Sequence, residues 1–319
     1  VFLRPLGLRL DPVGMMHNIT SVTEYIRAKI KRTGVSAKRG VLHYQQTAEE
    51  KYYTVGPDGG FWRCCRYIDD SESFLMTDNL TVIEEAGKAF GEFQLYLADY
   101  PVEKLNIPIP HFHNTLLRYG TFKESIEKDE NARAGSADAE IGEYLALEET
   151  ATKMYKMQRR GELPLRVTHN DTKCSNVLFD KNTFEHLSVI DLDTVMPGLT
   201  AYDFGDAIRT GANTAEEDER DLSRVQFSLP MFEAFTRGFL KEAGQTLTAR
   251  EIELLPMGAK LMTLECGMRF LADHLNGDKY FRVHREGHNL DRARTQFELV
   301  RHMEENWQNM ADIVRMCAK

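Results

Sequence analysis

The sequence predicts an α+β protein of two lobes, a small N-terminal lobe built from one helix and a sheet and a larger, mainly helical C-terminal lobe. Short apolar runs separated by turn residues are concentrated before residue 69. Helical periodicity dominates from Leu80 onward, and one polar hairpin near residue 180 interrupts it. We therefore expect residues 1–68 to form the N-terminal lobe and residues 69–319 the C-terminal lobe.

The N-terminal lobe is expected to begin with a helix and to continue as three strands. Asp11 and Pro12 are typical residues of a helix start, and apolar residues then recur at helical spacing up to Gly34. The segments 41–46, 51–55 and 61–68 have the composition of strands, and residues 56–60 that of a turn. The third strand would lead into the second lobe.

Composition excludes several classes of protein. The formal net charge of −9 argues against a nucleic-acid binder, which normally presents a basic face. The chain has no run of about 18 apolar residues that could span a membrane. Its apolar first residues are interrupted by Arg4 and Pro5, so they do not predict a signal peptide. The five cysteines form neither a disulfide ladder nor a C-x-x-C motif. We expect a cytoplasmic protein with reduced thiols, no membrane association and no obligate protein partner.

The most informative motif is HNDTKCSN, from His169 to Asn176. It has the H-x-D-x-x-x-x-N spacing of the catalytic loop of kinases, with Asn where those enzymes have Arg. Apolar residues follow on both sides of a turn-forming segment centred near Asn182, which predicts a β-hairpin. This hairpin would bring Asn176 close to Asp191. Their amide and carboxylate oxygens are hard ligands suited to Mg²⁺ on nucleotide phosphates.

Two further residues of this loop have a predicted chemical role. Asp171 could accept the proton of a substrate hydroxyl and align it on the γ-phosphorus of a nucleotide. Lys173 could neutralise charge on the phosphoryl group during its transfer. The alternative interpretation is a polar hairpin in which Asp and Asn side chains only cap turns.

The residues 169–180, followed by VIDLDTVMPGLTAYDFGDAIR at 189–209, resemble the aminoglycoside phosphotransferase and choline kinase superfamily. Within it the chain is most similar to the N-acetylhexosamine 1-kinases, and the similarity extends to residues 62–71, 85–91, 110–115 and 269–281. The resemblance implies a protein-kinase-like fold with the nucleotide between the lobes. It also implies ATP and Mg²⁺ as cofactors, and phosphorylation of the anomeric hydroxyl of N-acetylglucosamine or N-acetylgalactosamine to the 1-phosphate.

The resemblance also implies roles for particular residues. The backbone of Arg66, Tyr67 and Ile68 would bind the adenine of ATP. Arg269 and Tyr280 would hold the hexosamine together with Asp171. The alternative for the last pair is a surface arginine in a salt bridge and a half-buried tyrosine.

Several acidic residues follow the hairpin, and their expected roles are structural or open to two interpretations. Asp203 and Asp206 are expected mainly to brace the catalytic loop through hydrogen bonds. Asp193 could be a second metal ligand or the cap of a strand end. The acidic run 216–219 is expected to form an exposed helix start, where its charge suits the helix dipole.

The sequence departs from the family pattern at its start. The chain begins at Val1, and nothing before the first helix could form the Gly-rich hairpin and lysine-bearing strand that cover ATP in this fold. We expect either a fragment that lacks the first few tens of residues or a diverged member. If the chain is a fragment, ATP would lack part of its cover, and we expect this chain to phosphorylate sugars poorly.

Three alternatives to a hexosamine 1-kinase were considered. The first is a kinase of another small hydroxyl compound, such as an aminoglycoside, choline or homoserine. The second is an inactive protein that binds a nucleotide or a sugar. The third, a sulfatase, is excluded because no cysteine lies in the C-x-P-x-R context that its nucleophile needs.

Overall fold

The computed structural model describes residues 11–34 and 36–319, so the N-terminal residues considered above as a signal peptide lie outside the described residues. The helices are α1 (Pro12–Arg32), α2 (Leu80–Leu97), α3 (Thr115–Lys128), α4 (Asp138–Ala146), α5 (Glu148–Arg159), α6 (Thr200–Gly211), α7 (Leu229–Ala243), α8 (Ala249–Glu253), α9 (Leu255–Leu275), α10 (His288–Glu305) and α11 (Trp307–Cys317). The strands are β1 (Thr54–Val55), β2 (Phe61–Trp62), β3 (Ser71–Glu72), β4 (Arg166–Thr168), β5 (Val177–Asp180), β6 (His186–Val189) and β7 (Met196–Gly198).

The first predicted helix is present as α1. The Asp11 carboxylate caps it by accepting a hydrogen bond from the Gly14 N–H at 2.9 Å, and Pro12 occupies the first turn. The helix ends before Gly34, whose φ of +80° lies in the left-handed region that favours glycine. Its apolar face is buried and packs against α2.

The three long strands predicted for the N-terminal lobe are wrong in length. Only β1 and β2 form a regular antiparallel pair, and segments 41–46 and 61–68 meet at a single bridge, Tyr44 with Cys65. Two backbone hydrogen bonds flank that bridge. Most residues from 61 to 67 are exposed, and only Phe61 and Arg63 on one face of the segment are partly buried. With so little of either face covered, alternation along the segment does not stabilise a longer strand.

The predicted hairpin is present as β5 and β6. Val177 pairs with Val189, and the Ile190 N–H donates to the Asn176 carbonyl oxygen at 2.9 Å. β3 adds a third, antiparallel strand on the other side of β5. The hairpin therefore holds the end of the predicted catalytic loop, residues 169–176, at a defined register.

A second small sheet holds the start of that loop. β4 pairs with β7 in antiparallel fashion, with Thr168 opposite Met196. The catalytic loop leaves directly from the end of β4, and the segment after the hairpin returns as β7. Both ends of the loop are thus fixed by strand pairing.

Helices α2, α6, α7 and α9 form the main helical core. α6 crosses α9 so closely that the backbones meet at Gly205 and Gly258. The core around α1 also includes Phe93 and Val167, which follow residue 69, so the lobe boundary at residue 68 stays a prediction. Within the described residues, no helix combines the length and apolar character needed to cross a membrane.

Candidate active site

The catalytic loop brings three of the predicted residues into direct contact. The Lys173 ammonium lies 2.8 Å from Asp171 Oδ1. The Asn176 side-chain amide donates to the Asp171 carbonyl oxygen at 2.8 Å and to its Oδ2 at 3.1 Å. The carboxylate of Asp171 is therefore held on both oxygens while remaining partly exposed.

The negative charge of Asp171 affects the pKa of Lys173. Partial burial acts to lower the pKa of Lys173, but the charge of Asp171 and the hydrogen bond to it outweigh burial and raise the pKa. Lys173 therefore carries its positive charge at neutral pH.

Two buried aspartates on α6 hold the loop through hydrogen bonds, as predicted. Asp203 accepts hydrogen bonds from the backbone N–H groups of His169 and Asn170 at 2.8 and 2.7 Å. Asp206 accepts one from the N–H of Thr172 at 3.0 Å. These bonds satisfy backbone donors on both sides of Asp171 and hold its position.

His169 connects the loop to the hairpin. Its Nδ1 accepts a hydrogen bond from the Asp171 N–H at 3.2 Å, so its Nε2 carries the proton and donates to the Ile190 carbonyl oxygen at 2.9 Å. The rings of Phe90 and Phe93 contact the imidazole edge to face. The buried imidazole thereby sets the distance between Asp171 and the residue before Asp191.

Asp191 follows β6 with a φ of 59°, in the left-handed region. Desolvation by the surrounding protein raises its pKa, and the charges of Asp193 and Asp171 raise it further. Among the described residues, no cationic side chain lies within salt-bridge distance of Asp191. A carboxylate destabilised by other carboxylates fits a site that a cation completes.

Asp193 has a partner that was not expected from the sequence, and its role as a second metal ligand or a strand-end cap stays a prediction. Its carboxylate forms a salt bridge with Arg63 at 2.5 Å, and both side chains are largely buried. Within the described part of the chain, no cluster of three or more His, Cys, Asp or Glu residues is arranged to hold a metal ion. A metal bound by Asn176 and Asp191 would therefore take its other ligands from phosphate oxygens and water, as Mg²⁺ usually does.

The segment predicted to bind adenine lies at the end of the N-terminal strand region. The Arg66 N–H donates to the His43 carbonyl oxygen at 2.8 Å, and the Ser71 hydroxyl donates to the Ile68 carbonyl oxygen at 2.7 Å. Ile68 is buried, whereas Tyr67 is 76% exposed. Two backbone groups of the segment are thus used inside the protein, and its role with adenine stays a prediction.

A cavity of about 450 Å³ joins the catalytic loop to the C-terminal helices. Its lining contains Asp171 and Lys173 from the loop and Arg269 and Tyr280 from the C-terminal part of the chain. Arg269 lies 3.4 Å from the Tyr280 hydroxyl. The structure therefore brings together four predicted residues from distant parts of the sequence, while Asn176 and Asp191 lie outside this lining.

A buried network of salt bridges in the same cavity was not predicted from the sequence. Arg209 is buried between Asp206, at 3.0 Å, and Glu217, at 2.9 Å. The prediction that residues 216–219 begin a helix is wrong, because Glu217 and Asp218 lie in a turn. Glu216 and Glu217 are exposed as predicted, although Glu217 also lines the cavity. The spacing of Asp206 and Arg209 on one helix was the available sequence signal.

A second missed pair is His113 with Glu265, whose Nδ1 and Oε1 atoms are 3.0 Å apart. Only 2% of the Glu265 side chain is exposed. Burial acts to raise the pKa of Glu265, but His113 and two arginines outweigh it and lower the pKa. Nothing in the local sequence indicates that residues 152 positions apart meet.

The chain is similar to a known protein family and to several solved structures. The family model described as "Phosphotransferase enzyme family" matches residues 32–238. The solved structure of a microcompartment-associated aminopropanol kinase is similar over 92% of this chain and 83% of that chain, with 14% identity and a TM-score of 0.53. An amicoumacin kinase in complex with AMP-PNP, Ca²⁺ and Ami is similar over 90% and 77%, with 14% identity and a TM-score of 0.53. An aminoglycoside phosphotransferase from Alicyclobacillus acidocaldarius is similar over 98% and 85%, with 11% identity and a TM-score of 0.51.

The likeness to these structures shows the fold, and it confirms the predicted α+β kinase-like architecture. The family match runs from the end of α1 into α7 and includes the catalytic loop, the hairpin and both α6 aspartates. It covers more than half of the chain. The chain therefore belongs to the phosphotransferase enzyme family.

Proposed function

We propose that this protein is an ATP- and Mg²⁺-dependent kinase that phosphorylates the anomeric hydroxyl of N-acetylhexosamines. The observation that carries the proposal is the contact of Asp171 with Lys173 and Asn176 at the edge of a 450 Å³ cavity. This arrangement offers a base, a positive charge and an amide oxygen next to a space large enough for a sugar.

Asp171 is the proposed general base. It accepts the proton of the acceptor hydroxyl as the oxygen–phosphorus bond forms and the bond between the γ-phosphorus and ADP breaks. An anomeric hydroxyl is more acidic than an ordinary alcohol, so a carboxylate suffices as base. Lys173 stabilises the negative charge on the transferred group.

Asn176 and Asp191 are the proposed ligands of Mg²⁺. Both hydrogens of the Asn176 amide face Asp171, which leaves its oxygen for the metal. When bound, Mg²⁺ neutralises phosphate charge and holds the nucleotide phosphates in line with the acceptor. Arg66, Tyr67 and Ile68 are the proposed adenine segment, through backbone groups.

Arg269 and Tyr280 are the proposed sugar-binding residues. They face Asp171 across the cavity, and Arg269 lies over the rings of Tyr280 and Phe281 at 5.7 and 5.4 Å. A guanidinium beside an aromatic ring suits a sugar, since the donors bind hydroxyls and the ring contacts the apolar face. The resemblance of residues 269–281 to N-acetylhexosamine 1-kinases supports this acceptor.

A kinase of another small hydroxyl compound is the second candidate. The names of the solved neighbours, an aminopropanol kinase, an amicoumacin kinase and an aminoglycoside phosphotransferase, favour it. An inactive nucleotide- or sugar-binding protein is the remaining alternative, which binding of ATP and sugar without turnover would indicate.

The test is a coupled ADP-release assay with ATP, Mg²⁺ and a panel of N-acetylhexosamines, other sugars, amino alcohols and aminoglycosides. We expect turnover with N-acetylglucosamine or N-acetylgalactosamine, and 1-phosphate as the product by NMR. Asp171→Asn should remove nearly all turnover and leave the melting temperature unchanged. Asp312→Asn on α11, where 49% of the side chain is exposed, is the matched control. An active Asp171→Asn variant would contradict the proposed base.

A further inference from the structure

A smaller cavity of about 170 Å³ adjoins the main one. The two share Arg269, Tyr280 and Phe281, and Arg118 from α3 also lines the smaller one. Two guanidinium groups from α3 and α9 therefore line one compartment beside the proposed acceptor site.

The donors of these two arginines are largely unused. Arg118 donates to the Phe112 carbonyl oxygen at 3.0 Å, while its Nε is buried without a hydrogen-bond partner. Arg269 has the contact of 3.4 Å with the Tyr280 hydroxyl. Among residues 11–34 and 36–319, no carboxylate lies within 4 Å of either guanidinium. The ten N-terminal residues and Val35 include no Asp or Glu.

The carboxylates that face the two cavities already have partners. Asp273 accepts three backbone N–H bonds, from residues 279 to 281 at 2.8 to 3.0 Å, and one from the Asn289 amide. Glu265 is paired with His113. Asp171, Asp206 and Glu217 are each engaged by Lys173 or Arg209. Each of these carboxylates therefore has at least one partner, although the second oxygen of Glu265, Oε2, is buried without a hydrogen-bond partner.

The two arginines are close enough for the charge of one to change the pKa of the other. Burial lowers the pKa of Arg118, and the positive charge of Arg269 lowers it further, although Glu265 opposes this effect. Two neighbouring cations repel each other. Glu265 offsets part of this repulsion without forming a salt bridge to either arginine, and an anion bound between the two guanidiniums would offset it further.

We propose that Arg118 and Arg269 bind an oxyanion of the acceptor, so that the substrate is an acidic sugar carrying a carboxylate or a phosphate. The oxyanion occupies the smaller cavity, and the hydroxyl to be phosphorylated reaches Asp171 in the larger one. Both guanidiniums present donors in a planar fork that matches carboxylate and phosphate oxygens. This inference rests on the proposed kinase function and refines its substrate class. It also distinguishes this site from one suited to amino alcohols.

The kinetic test uses acceptors that differ in charge: N-acetylglucosamine, its 6-phosphate, glucuronic acid and glucosamine. We expect kcat/KM to be highest for an acidic acceptor, and the two acids show whether carboxylate or phosphate is preferred.

Arg118→Gln should reduce the acidic-to-neutral ratio of kcat/KM by about 10- to 100-fold, with KM for ATP unchanged. Arg118→Lys keeps the charge without the fork and should recover part of the ratio. Arg315→Gln, an exposed change on α11, is the control. An equal or higher kcat/KM for the neutral or cationic sugar, or a rise in KM for ATP in Arg118→Gln, would overturn the proposal.

A binding measurement separates this proposal from the proposed function. Titration calorimetry of Asp171→Asn with inorganic phosphate and with glucuronic acid needs no turnover. Binding that disappears in the Asp171→Asn, Arg118→Gln double variant supports the anion site even if no acceptor is phosphorylated, in which case only the kinase proposal fails. Turnover of neutral sugars without any such binding leaves the kinase proposal intact and refutes the anion site.

Discussion

The crossing of α6 and α9 offers a stringent test of the structure, because it depends on the absence of a side chain at Gly205. A Cβ atom added there would lie 2.2 Å from the carbonyl oxygen and 2.5 Å from the carbonyl carbon of Gly258. Such contacts lie far inside normal van der Waals separation. The atoms approached belong to the backbone, so no change of rotamer can relieve them. Gly205→Ala must therefore push the two helices apart.

The expected cost follows from two opposing effects. Overpacking a core by a methyl group typically costs about 1–3 kcal/mol, and a clash with backbone belongs near the upper end of that range. Replacing glycine with alanine inside a helix returns about 0.5–1 kcal/mol through its better helix propensity. We therefore expect Gly205→Ala to lower the free energy of unfolding by about 2 kcal/mol.

The matched control is Gly142→Ala on α4, where an added Cβ meets no atom within 4 Å. This change should raise the free energy of unfolding by about 0.5–1 kcal/mol. Urea unfolding followed by circular dichroism measures both variants. Equal or higher stability of Gly205→Ala relative to the wild type would refute the close crossing. Because α6 carries Asp203 and α9 carries Arg269, the folded Gly205→Ala protein should also lose activity, whereas Gly142→Ala should not.

Two further predictions concern buried charges. Arg209→Met leaves Asp206 without its cation and should lower the free energy of unfolding by about 3 kcal/mol, measured by urea unfolding; stability equal to that of the wild type would contradict it. Burial acts to lower the pKa of His186, but hydrogen bonds and charges from Glu92 and Glu85 outweigh burial and raise it. The protonated ring therefore stabilises the fold below its ordinary pKa, and this contribution is lost as pH rises through the raised pKa. Thermal unfolding should show that His186→Gln lowers the melting temperature more near pH 5.5 than near pH 9, and an equal effect at both pH values would exclude this coupling.

The elements predicted well from the sequence are those specified by neighbouring residues. Asp11 and Pro12 begin α1 because an acidic cap and a proline each satisfy local backbone requirements. The hairpin of β5 and β6 was predictable because apolar runs flank a turn of Asp and Asn. The hairpin also places Asn176 opposite Ile190, next to Asp191, as its turn position predicted.

The predictions that failed concern segments whose structure depends on which other parts of the protein pack against them. The strands expected between residues 41 and 68 are reduced to short pairs, since most residues from 61 to 67 are exposed. Glu217 was expected at the start of a helix, yet it lies in a turn and binds the buried Arg209 while remaining exposed. Composition and periodicity describe how a segment could be buried but not which partner buries it.

The sequence by itself determined the kinase-like fold class, the catalytic loop and the hairpin, because spacing and turn chemistry act over a few residues. Only the tertiary structure decided which side chains face one another across the cavity. Arg118 and Arg269 line one compartment because α3 packs on α9, although their sequence positions are far apart. Such contacts result from helix packing around a shared core, and no local pattern encodes them.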